Sequence, residues 1–573
     1  MKIIRIFFFS VAILMILSCT DIKTKSADTT ICNPINLSYR FCLDEPSRRE
    51  AADPVIVLFK DEYYLFASKS GGYWHSANLI DWDFITSSEL PFEDYAPAVV
   101  AIRDTLYFMA SGKAPVSIFK TSEPKTGKWK IANAAFPIGM TDPDLFLDDD
   151  GRLYFYYGCS NTEPIYAVEL DPVTFNPKGK PAGCFNSYKE KYGWEINGDY
   201  NNQTDQPWIE GAWMTKHNGK YYLQYAAPGT QYKSYCDGVY IADNPLGPFK
   251  VALHNPFSYK PGGFIAGAGH SCTFQDKYGN YWHITTMTIS QKHMFERRLG
   301  LFPVFFDKDG TFYTYTGFGD FPFSIPRKKI SGPDELFPQW MLLSYNKPVE
   351  VSSELPAYPK NNAADEEIRT YWSAKTGNKG EWITIDLQRE SVINAIQINF
   401  AENQTKLYNR NPNIYYQYLL ECSDDNKTWK LLADKTTSKT DIPHDYIQLK
   451  SPEKTRYVRL TNYHVPDGTF ALSGFRIFGN GQGNKPEAVK NFTVTRTQFD
   501  KREVRLKWNM DFNATGYNIR YGAQAGKLYN NYEVLGADSL IFRSFNRDLK
   551  YYFTIDVFNE NGVTKGSTVV VVN

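Results

Sequence analysis

The sequence lacks an excess of charge of either sign. Lys and Arg together number 63, as do Asp and Glu, so the formal net charge at pH 7 is zero. Because nucleic-acid-binding domains carry basic patches, this balance argues against nucleic acid as a partner. Long apolar stretches at helical spacing are also scarce, whereas aromatic residues make up 16% of the chain. Frequent Tyr, Phe, Gly and Pro therefore predict a mostly β structure.

The N-terminus carries an apolar run that is typical of a targeting segment. Lys2 and Arg5 precede the run "IFFFSVAILMIL", and Cys19 follows it closely. A run this short after a basic start predicts a signal peptide, residues 1–18, rather than a spanning helix. "ILSC" resembles the lipobox of bacterial lipoproteins, in which Cys19 becomes the lipidated first residue of the mature chain. The alternative is a plain signal peptide with an incidental cysteine.

A lipidated Cys19 would place the protein in the cell envelope as an outer-membrane lipoprotein, facing the periplasm or the surface. The polar residues 19–33 suit a tether, so the membrane would be a partner only through the lipid. CxxC pairs are absent, which disfavours a zinc site. An envelope location permits disulfides, and Cys32 and Cys42 are the nearest pair. The seven cysteines after Cys19 leave at least one thiol free.

A repeated unit fills the next part of the chain. Each copy consists of an apolar strand, a tight turn and an aromatic strand, and the pair Asn218-Gly219 is a strong hairpin signal. The copies are "DPVIVLFKDEYYLFAS", "APAVVAIRDTLYFMAS", "DPDLFLDDDGRLYFYYG", "EGAWMTKHNGKYYLQYA" and "HSCTFQDKYGNYWHITT". Further strands follow each hairpin, so each unit has about four strands, which is typical of a β-propeller blade. Residues 299–314 look like a sixth hairpin, which we expect to close the ring against the first blade.

The same position of each unit carries chemically informative side chains. Eight residues before the turns stand Asp53, Ala96, Asp142, Glu210 and His270. The first strand of a propeller blade lines the central channel, so we expect the three acids to face one another. Crowded carboxylates raise one another's pKa, as general-acid catalysis at neutral pH requires. The alternative is that Asp-Pro and Glu-Gly are merely turn-forming pairs.

The motifs "REAADPVIVLFKDEYYLFAS", "TDPDLFLDDDGRLYFYYG", "WIEGAWMTKHNGKYYLQYA" and "AGAGHSCTFQD" together resemble glycoside hydrolase family 43. The resemblance covers residues 34–326 and implies a five-bladed β-propeller with an inverting mechanism, acting mostly on glycans that contain arabinose or xylose. Glycoside hydrolysis needs one acid and one base. Carried over by motif, Asp53 would be the general base, Glu210 the general acid, and Asp142 the modulator that keeps the acid protonated.

The resemblance also implies binding residues. His270 falls where the family keeps an axial histidine, often near a bound calcium or water, so it is a candidate metal-site residue. Arg298, in "ERRLGLFPV", matches an arginine that reaches a sugar hydroxyl, although a surface ion pair is the alternative. Trp74 and Trp208 are candidate stacking platforms for a sugar, or else blade packing. No cofactor is expected for the chemistry itself, and a structural Ca²⁺ in the channel is the one metal considered.

One departure from the family pattern concerns sugar preference. Family members commonly show Trp-Ala-Pro-Asp at the start of the second blade, whereas this chain has Tyr95 and Ala98 in those places. Neither position carries acid–base chemistry, so activity is not threatened.

The C-terminal third follows different patterns. Residues 327–482, with "TYWSA", "EWITIDL" and "YVRL", resemble a discoidin-like (F5/8 type C) jelly roll, which is often a carbohydrate-binding module; a purely structural platform is the alternative. Residues 483–573, with Trp508, resemble a fibronectin type III sandwich. Because all three acids precede these domains, we expect the domains to be dispensable for the chemistry.

The predicted protein is a lipid-anchored, exo-acting, inverting glycosidase whose partner is an oligosaccharide or polysaccharide. Its favoured substrate is a terminal α-L-arabinofuranosyl unit. A β-D-galactofuranosidase or a β-xylosidase would use the same machinery, and a non-catalytic glycan-binding lipoprotein is the alternative from another class. The Trp-Asn-Asp-Pro motif of retaining five-bladed enzymes and the Asp-boxes of sialidases are absent.

Overall fold

A computed structural model describes residues 29–409, 411 and 413–573. The predicted signal peptide and Cys19 lie outside the described residues. The predicted all-β class is confirmed, since the described chain consists of strands with four short 3₁₀ turns at Pro124–Thr126, Gly193–Glu195, Pro333–Glu335 and Lys360–Ala363. Among these residues no helix has the length and apolar character needed to cross a membrane.

Five antiparallel sheets form the blades of a propeller, as predicted. Blade 1 comprises Ala52–Phe59, Glu62–Ser68, Tyr73–Ser76 and Asp83–Ile85, and blade 2 comprises Ala98–Ile102, Thr105–Met109, Val116–Thr121 and Lys130–Phe136. Blade 3 comprises Asp144–Leu147, Leu153–Tyr157, Ile165–Leu170 and Ala182–Phe185. Blade 4 comprises Glu210–His217, Lys220–Ala227, Cys236–Ala242 and Lys250–Val251, with Ser258–Tyr259 added to its third strand. Blade 5 comprises Ala266–Gln275, Tyr281–Thr288, Arg297–Phe306 and Phe312–Thr314.

The ring closes differently from the prediction. Residues 299–314 are not a separate closing hairpin, because they supply the third and fourth strands of blade 5 and pair with Tyr281–Thr288 and with each other. Blades 1 and 5 instead share one buried apolar cluster, in which Ile56 lies with Trp282. The N-terminal strand Thr30–Ile31 pairs with Phe323–Ser324 just after the propeller. The unit period in the sequence could not distinguish these two ways of closing the ring.

Aromatic side chains fill the space between neighbouring blades. Phe66 and Tyr73 of blade 1 stack with ring centroids 4.6 Å apart, and Trp129 of blade 2 meets both edge-on at 6.1 Å. The indole N–H of Trp129 donates to the Tyr73 hydroxyl at 3.2 Å, so this polar atom has a partner although it is buried. The high aromatic content of the sequence is thus largely blade packing.

The hairpin turn at Asn218-Gly219 is confirmed by its backbone. Asn218 has φ 48° and Gly219 has φ 75°, and a two-residue turn of type I′ requires positive φ at both positions. The strands Glu210–His217 and Lys220–Ala227 then pair directly, with His217 opposite Lys220.

The second domain is one continuous antiparallel ladder. Its strands are Met341–Leu342, Val349–Val351, Trp372–Ser373, Trp382–Phe400, Gln417–Ser423, Lys430–Asp434, His444–His464 and Ala471–Asn480. The two longest strands pair along most of their length and shift register in mid-course. Such bulges bend a long strand so that its two halves can belong to the two layers of a sandwich.

The last part of the chain has two sheets around Trp508, which is buried and lies 5.2 Å from the ring of Tyr517. The first sheet contains Thr493–Arg496, Val504–Lys507 and Ser539–Phe542, and the second contains Gly516–Gly522, Asn530–Leu535, Tyr551–Asn559, Gly562–Thr564 and Val570–Val572. This unit contacts the propeller, where Tyr313 and Tyr529 stack with centroids 3.8 Å apart.

The cysteines of the described residues are all free thiols. The suggested pair Cys32 and Cys42 does not form a disulfide. The thiol of Cys32 donates to the carbonyl of Asp320 at 3.1 Å, and that of Cys42 to the carboxylate of Glu50 at 3.3 Å. Their nearness in sequence says little, because the two cysteines lie in different packing environments.

Candidate active site

One residue in the first strand of each blade, or just before it, has a positive φ. Positive φ values of 46° to 61° occur at Asp53, Ala96, Asp142, Gly211 and His270. In blade 4 the equivalent residue is therefore Gly211, and Glu210 stands one position earlier, contrary to the predicted equivalence. The strand pairing agrees, because the register shifts between Ala52 and Val55 in blade 1 and between Glu210 and Trp213 in blade 4. A bulge thus changes the direction of the chain at the starts of blades 1 and 4.

Each of these strained residues is held by a side chain of the preceding blade. The backbone N–H of Ala96 donates to the Ser68 hydroxyl at 2.6 Å, and that of Asp142 to the Ser111 hydroxyl at 3.0 Å. The same bond recurs from Asp53 to Thr286 (2.8 Å), from Gly211 to Asp142 (3.2 Å) and from His270 to Asp237 (2.8 Å). A non-glycine residue at positive φ costs about 1–3 kcal/mol and persists only where its surroundings fix it. This closed ring of hydrogen bonds supplies that constraint.

Asp53 is arranged to stay ionised. The Ser68 hydroxyl donates to its Oδ2 at 2.6 Å, and Arg297 Nη1 and His270 Nδ1 lie 3.3 Å and 3.2 Å from its Oδ1. Burial of the carboxyl works to raise its pKa, but Arg297, His270 and the Ser68 hydrogen bond together hold the pKa below its ordinary value. An ionised carboxylate is the form that can take a proton from water.

Asp142 is arranged in the opposite sense. Burial, together with the neighbouring charges of Glu210 and Asp53, outweighs the attraction of His270 and raises its pKa to about 7. One oxygen of Asp142 and one of Glu210 lie within 4.8 Å of each other. The nearness of Glu210 is thus one cause of the raised pKa of Asp142.

Glu210 borders the open part of the site. The Tyr235 hydroxyl donates to its Oε1 at 2.5 Å and the Cys159 thiol to its Oε2 at 3.2 Å. Cys159 also lines a cleft of about 870 Å³ between the loops of blades 2 and 3, together with Tyr95, Thr141 and Ser160. A ligand in this cleft would therefore lie beside Cys159, whose thiol contacts Glu210.

The predicted sugar-binding arginine is at the wrong one of two adjacent positions. Arg298 points away from the channel, where its Nε donates to His444 Nε2 at 2.7 Å. Arg297 is the arginine at the site, since it contacts Asp53 and its Nη2 lies 2.5 Å from Glu50. Successive side chains of a strand point to opposite faces, so an error of one residue reverses the environment.

The two candidate tryptophans have different environments. Trp74 has no exposed surface and packs edge-on against Phe84 at 5.4 Å, with its indole N–H on Ser38. It is part of the core of blade 1 and cannot stack on a sugar, so that prediction is wrong. Trp208 is 44% exposed and stands two residues before Glu210. Its stacking role stays a prediction.

The surroundings of His270 do not suit it as a direct calcium ligand. Its Nδ1 is occupied by Asp53 at 3.2 Å and Asp142 at 3.7 Å. Burial opposes its protonation, but Asp53, Asp142 and Glu210 raise the pKa of the imidazole above its usual value. Ca²⁺ takes oxygen ligands, and an imidazole ring offers none. His270 is therefore unsuited to bind calcium directly, and a calcium elsewhere in the channel stays a prediction.

Several residues that the structure brings to the site carried no signal in the sequence. Asp237 comes from the third strand of blade 4, Tyr235 directly precedes that strand, and Cys159 follows the second strand of blade 3. Asp237 accepts from the His270 backbone with one oxygen and lies 3.1 Å from His283 Nε2 with the other. None of them stands at a blade start, so the repeat could not indicate them. Arg297 could have been predicted from the sequence, because side chains alternate between the two faces of a strand and Arg297 is adjacent to Arg298.

A five-bladed propeller with three acidic side chains at or beside its blade starts is the arrangement that the sequence motifs implied for a glycoside hydrolase, and comparisons with known proteins test that assignment. Residues 47–312 match the family described as "Glycosyl hydrolases family 43", and residues 348–475 match "F5/8 type C domain". The propeller part of this chain accordingly matches the family 43 model, and the second domain matches the F5/8 type C model, as the sequence motifs predicted.

Curated relatives and solved structures resemble parts of the chain. The "Beta-D-galactofuranosidase xynD" of Aspergillus niger is 23% identical over 35% of this chain and 62% of its own length. The "Arabinoxylan arabinofuranohydrolase" of Paenibacillus polymyxa is 29% identical over 34% of this chain and 33% of its own length. The chain thus spans less than two thirds of either relative. The structure "Bacteroides ovatus Xyloglucan PUL GH43B" is 16% identical, covers 78% of this chain and 98% of its own, and has a TM-score of 0.42.

Proposed function

We propose that this protein is an inverting, exo-acting glycoside hydrolase that releases terminal sugars from glycans. The observation that carries the proposal is the opposite tuning of neighbouring carboxyls: the pKa of Asp53 is held low, whereas that of Asp142, beside Glu210, is raised to about 7. Titratable groups whose environments push their pKa values apart are the mark of an acid and a base in one site. A pure binding site has no need of such a division.

The reaction follows from these roles. Ionised Asp53 takes a proton from a water molecule, whose oxygen attacks the anomeric carbon as the bond to the leaving oxygen breaks. Glu210 gives its proton to that leaving oxygen, so the alcohol departs neutral. Asp142 opposes early loss of this proton, because a second negative charge within 4.8 Å is unfavourable. Arg297 and Ser68 hold Asp53 in position throughout.

The favoured substrate is a terminal α-L-arabinofuranosyl unit. The named activities of relatives at 23% to 31% identity include arabinofuranohydrolase, β-D-galactofuranosidase and β-xylosidase, so the last two are the alternatives for the same acid–base machinery. Trp208, exposed beside Glu210, is the side chain that we propose to contact the sugar.

A panel of aryl glycosides tests the proposal, with Glu210→Gln and Asp53→Asn as matched isosteric controls. We expect wild-type turnover on the arabinofuranoside, with NMR showing first the anomer of inverted configuration. Product of retained configuration would refute the inverting mechanism. Binding without turnover on every glycoside, equal in wild type and both variants, would favour the non-catalytic glycan-binding alternative.

We also propose the remaining features of the whole protein as the motifs suggest them. Acylation of Cys19 would anchor it in the cell envelope as an outer-membrane lipoprotein. Residues 483–573 would be a fibronectin type III-like module, which the pairing of Val504–Lys507 with both Thr493–Arg496 and Ser539–Phe542 supports.

A further inference from the structure

We infer that the F5/8 type C domain is a positioning part of the active site, because its side chains hold Arg49 and Arg298, the chain neighbours of the Glu50–Arg297 pair beside Asp53. This inference rests on the proposed role of Asp53 as the base. It revises the expectation that the accessory domains are dispensable for the chemistry.

Two pairs of adjacent residues connect the domain to the base. Glu50 and Arg297 face the channel side, where Arg297 bridges the carboxylates of Glu50 and Asp53. Their chain neighbours Arg49 and Arg298 point the other way, as alternation along a strand requires. Arg298 Nη1 also donates to the backbone carbonyl of Arg49 at 2.9 Å, so the two strands are tied together.

Carboxylates of the second domain form ion pairs with both Arg49 and Arg298. Arg49 lies 2.8 Å from Glu402 and 2.7 Å from Asp441, and it has no exposed side-chain surface. Arg298, 1% exposed, lies 3.6 Å from the other oxygen of Glu402. Buried guanidinium groups need such partners, because a charge left unpaired out of water is strongly unfavourable. The carboxylate of Glu402 therefore joins the two strands that carry Glu50 and Arg297.

His444 completes this junction as a neutral acceptor. Burial, with Arg298 and Arg49 nearby, keeps its pKa well below the usual value. Its Nδ1 lies 2.8 Å from the amide oxygen of Asn399, so Nδ1 carries the proton and Nε2 accepts the 2.7 Å hydrogen bond from Arg298 Nε. The domain thus supplies both an anion and a directional acceptor to the strand of Arg297.

The test is Glu402→Gln in the full-length chain, with activity measured across pH. Arg297 helps to keep the pKa of Asp53 low, so displacing it raises that pKa, and the base is then ionised only at higher pH. We expect the acid limb of the kcat/KM profile to move to higher pH and kcat/KM to fall by about 10-fold to 100-fold, as for a small misplacement of a catalytic group.

Glu367→Gln is the matched control. Glu367 pairs with Lys233 of blade 4 at 2.5 Å, in the same domain interface but without contact to Arg49 or Arg298. It should leave the acid limb in place. Asp441→Asn, at a carboxylate that is 15% exposed, is a milder second variant should Glu402→Gln not fold.

A crystal structure of the folded variant gives a readout that does not depend on turnover. We expect the 3.3 Å contact between Arg297 Nη1 and Asp53 Oδ1 to lengthen. An unchanged contact together with an unchanged acid limb would overturn the inference, even if stability fell. A wild-type protein that hydrolyses no glycoside would instead overturn the proposed function, while the same Arg297 contact would still decide whether the domain positions Asp53.

Discussion

Replacing Asp142 with Asn removes one negative charge beside Glu210 and keeps the shape of the side chain. The hydrogen bond from the Gly211 backbone N–H to Asp142 Oδ2 can be kept by the amide oxygen, so the backbone bulge has no reason to change. In the native protein an ionised Asp142 within 4.8 Å of Glu210 repels a second negative charge there. The substitution removes that repulsion without removing the proposed proton donor.

The magnitude follows from Coulomb's law. Two unit charges within 4.8 Å of each other, at an effective dielectric constant of about 20, repel by at least about 3.5 kcal/mol, equivalent to about 2.5 pH units. Glu210 is half-buried, and solvent near it lowers the effect, so we expect about 1–2 pH units. Without the neighbouring charge the donor loses its proton at lower pH. The alkaline limb of the kcat/KM profile should therefore move to lower pH.

The assay is kcat/KM against pH on a glycoside with a poor leaving group, where protonation of the leaving oxygen matters most. Asp144→Asn is the matched control, since Asp144 is also buried with a pKa raised to about 7 but accepts from the Met214 backbone away from Glu210. A limb that does not move, that moves to higher pH, or that moves equally in Asp144→Asn would refute the assigned role of Asp142.

Three further outcomes are expected. Asp53→Asn should lower kcat by about 10²–10⁴ whatever the leaving group. Glu210→Gln should lower kcat strongly on a natural glycoside but only mildly on a nitrophenyl glycoside, as steady-state kinetics on both substrates will show. Equal losses of kcat on the two substrates would contradict the separate roles. Trp74→Ala should lower the free energy of unfolding by about 3–5 kcal/mol in denaturant titration, because Trp74 is buried. Trp208→Ala should raise KM and leave stability unchanged, because Trp208 is exposed. The reverse pattern would contradict the buried position of Trp74 and the exposed position of Trp208. Cys19→Ala should move the protein to the soluble envelope fraction at unchanged specific activity, and unchanged membrane retention would count against acylation.

The sequence alone determined the features that depend on local pattern. Alternating apolar runs, hairpin turns such as Asn218-Gly219 and the repeated unit were enough to predict five blades and the acids at their starts, because each blade repeats the same local physics. The motifs of the second domain were likewise enough to predict its type. The sequence did not give the exact position of the acid within the unit of blade 4. Glu210 precedes the position equivalent to Asp53 by one residue, since Gly211 takes the positive φ that Asp53 adopts in blade 1.

The tertiary structure decided which side chains face which environment. Arg297 rather than Arg298 reaches Asp53, and Trp74 lies in the core, because one step along a strand reverses the face and only packing shows which face is inward. The opposite tuning of Asp53 and Asp142 depends on distances between blades that are remote in sequence. The ion pairs of Glu402 with Arg49 and Arg298 also depend on such distances. Electrostatic interactions are set by separation in space and by burial, and a linear sequence records neither.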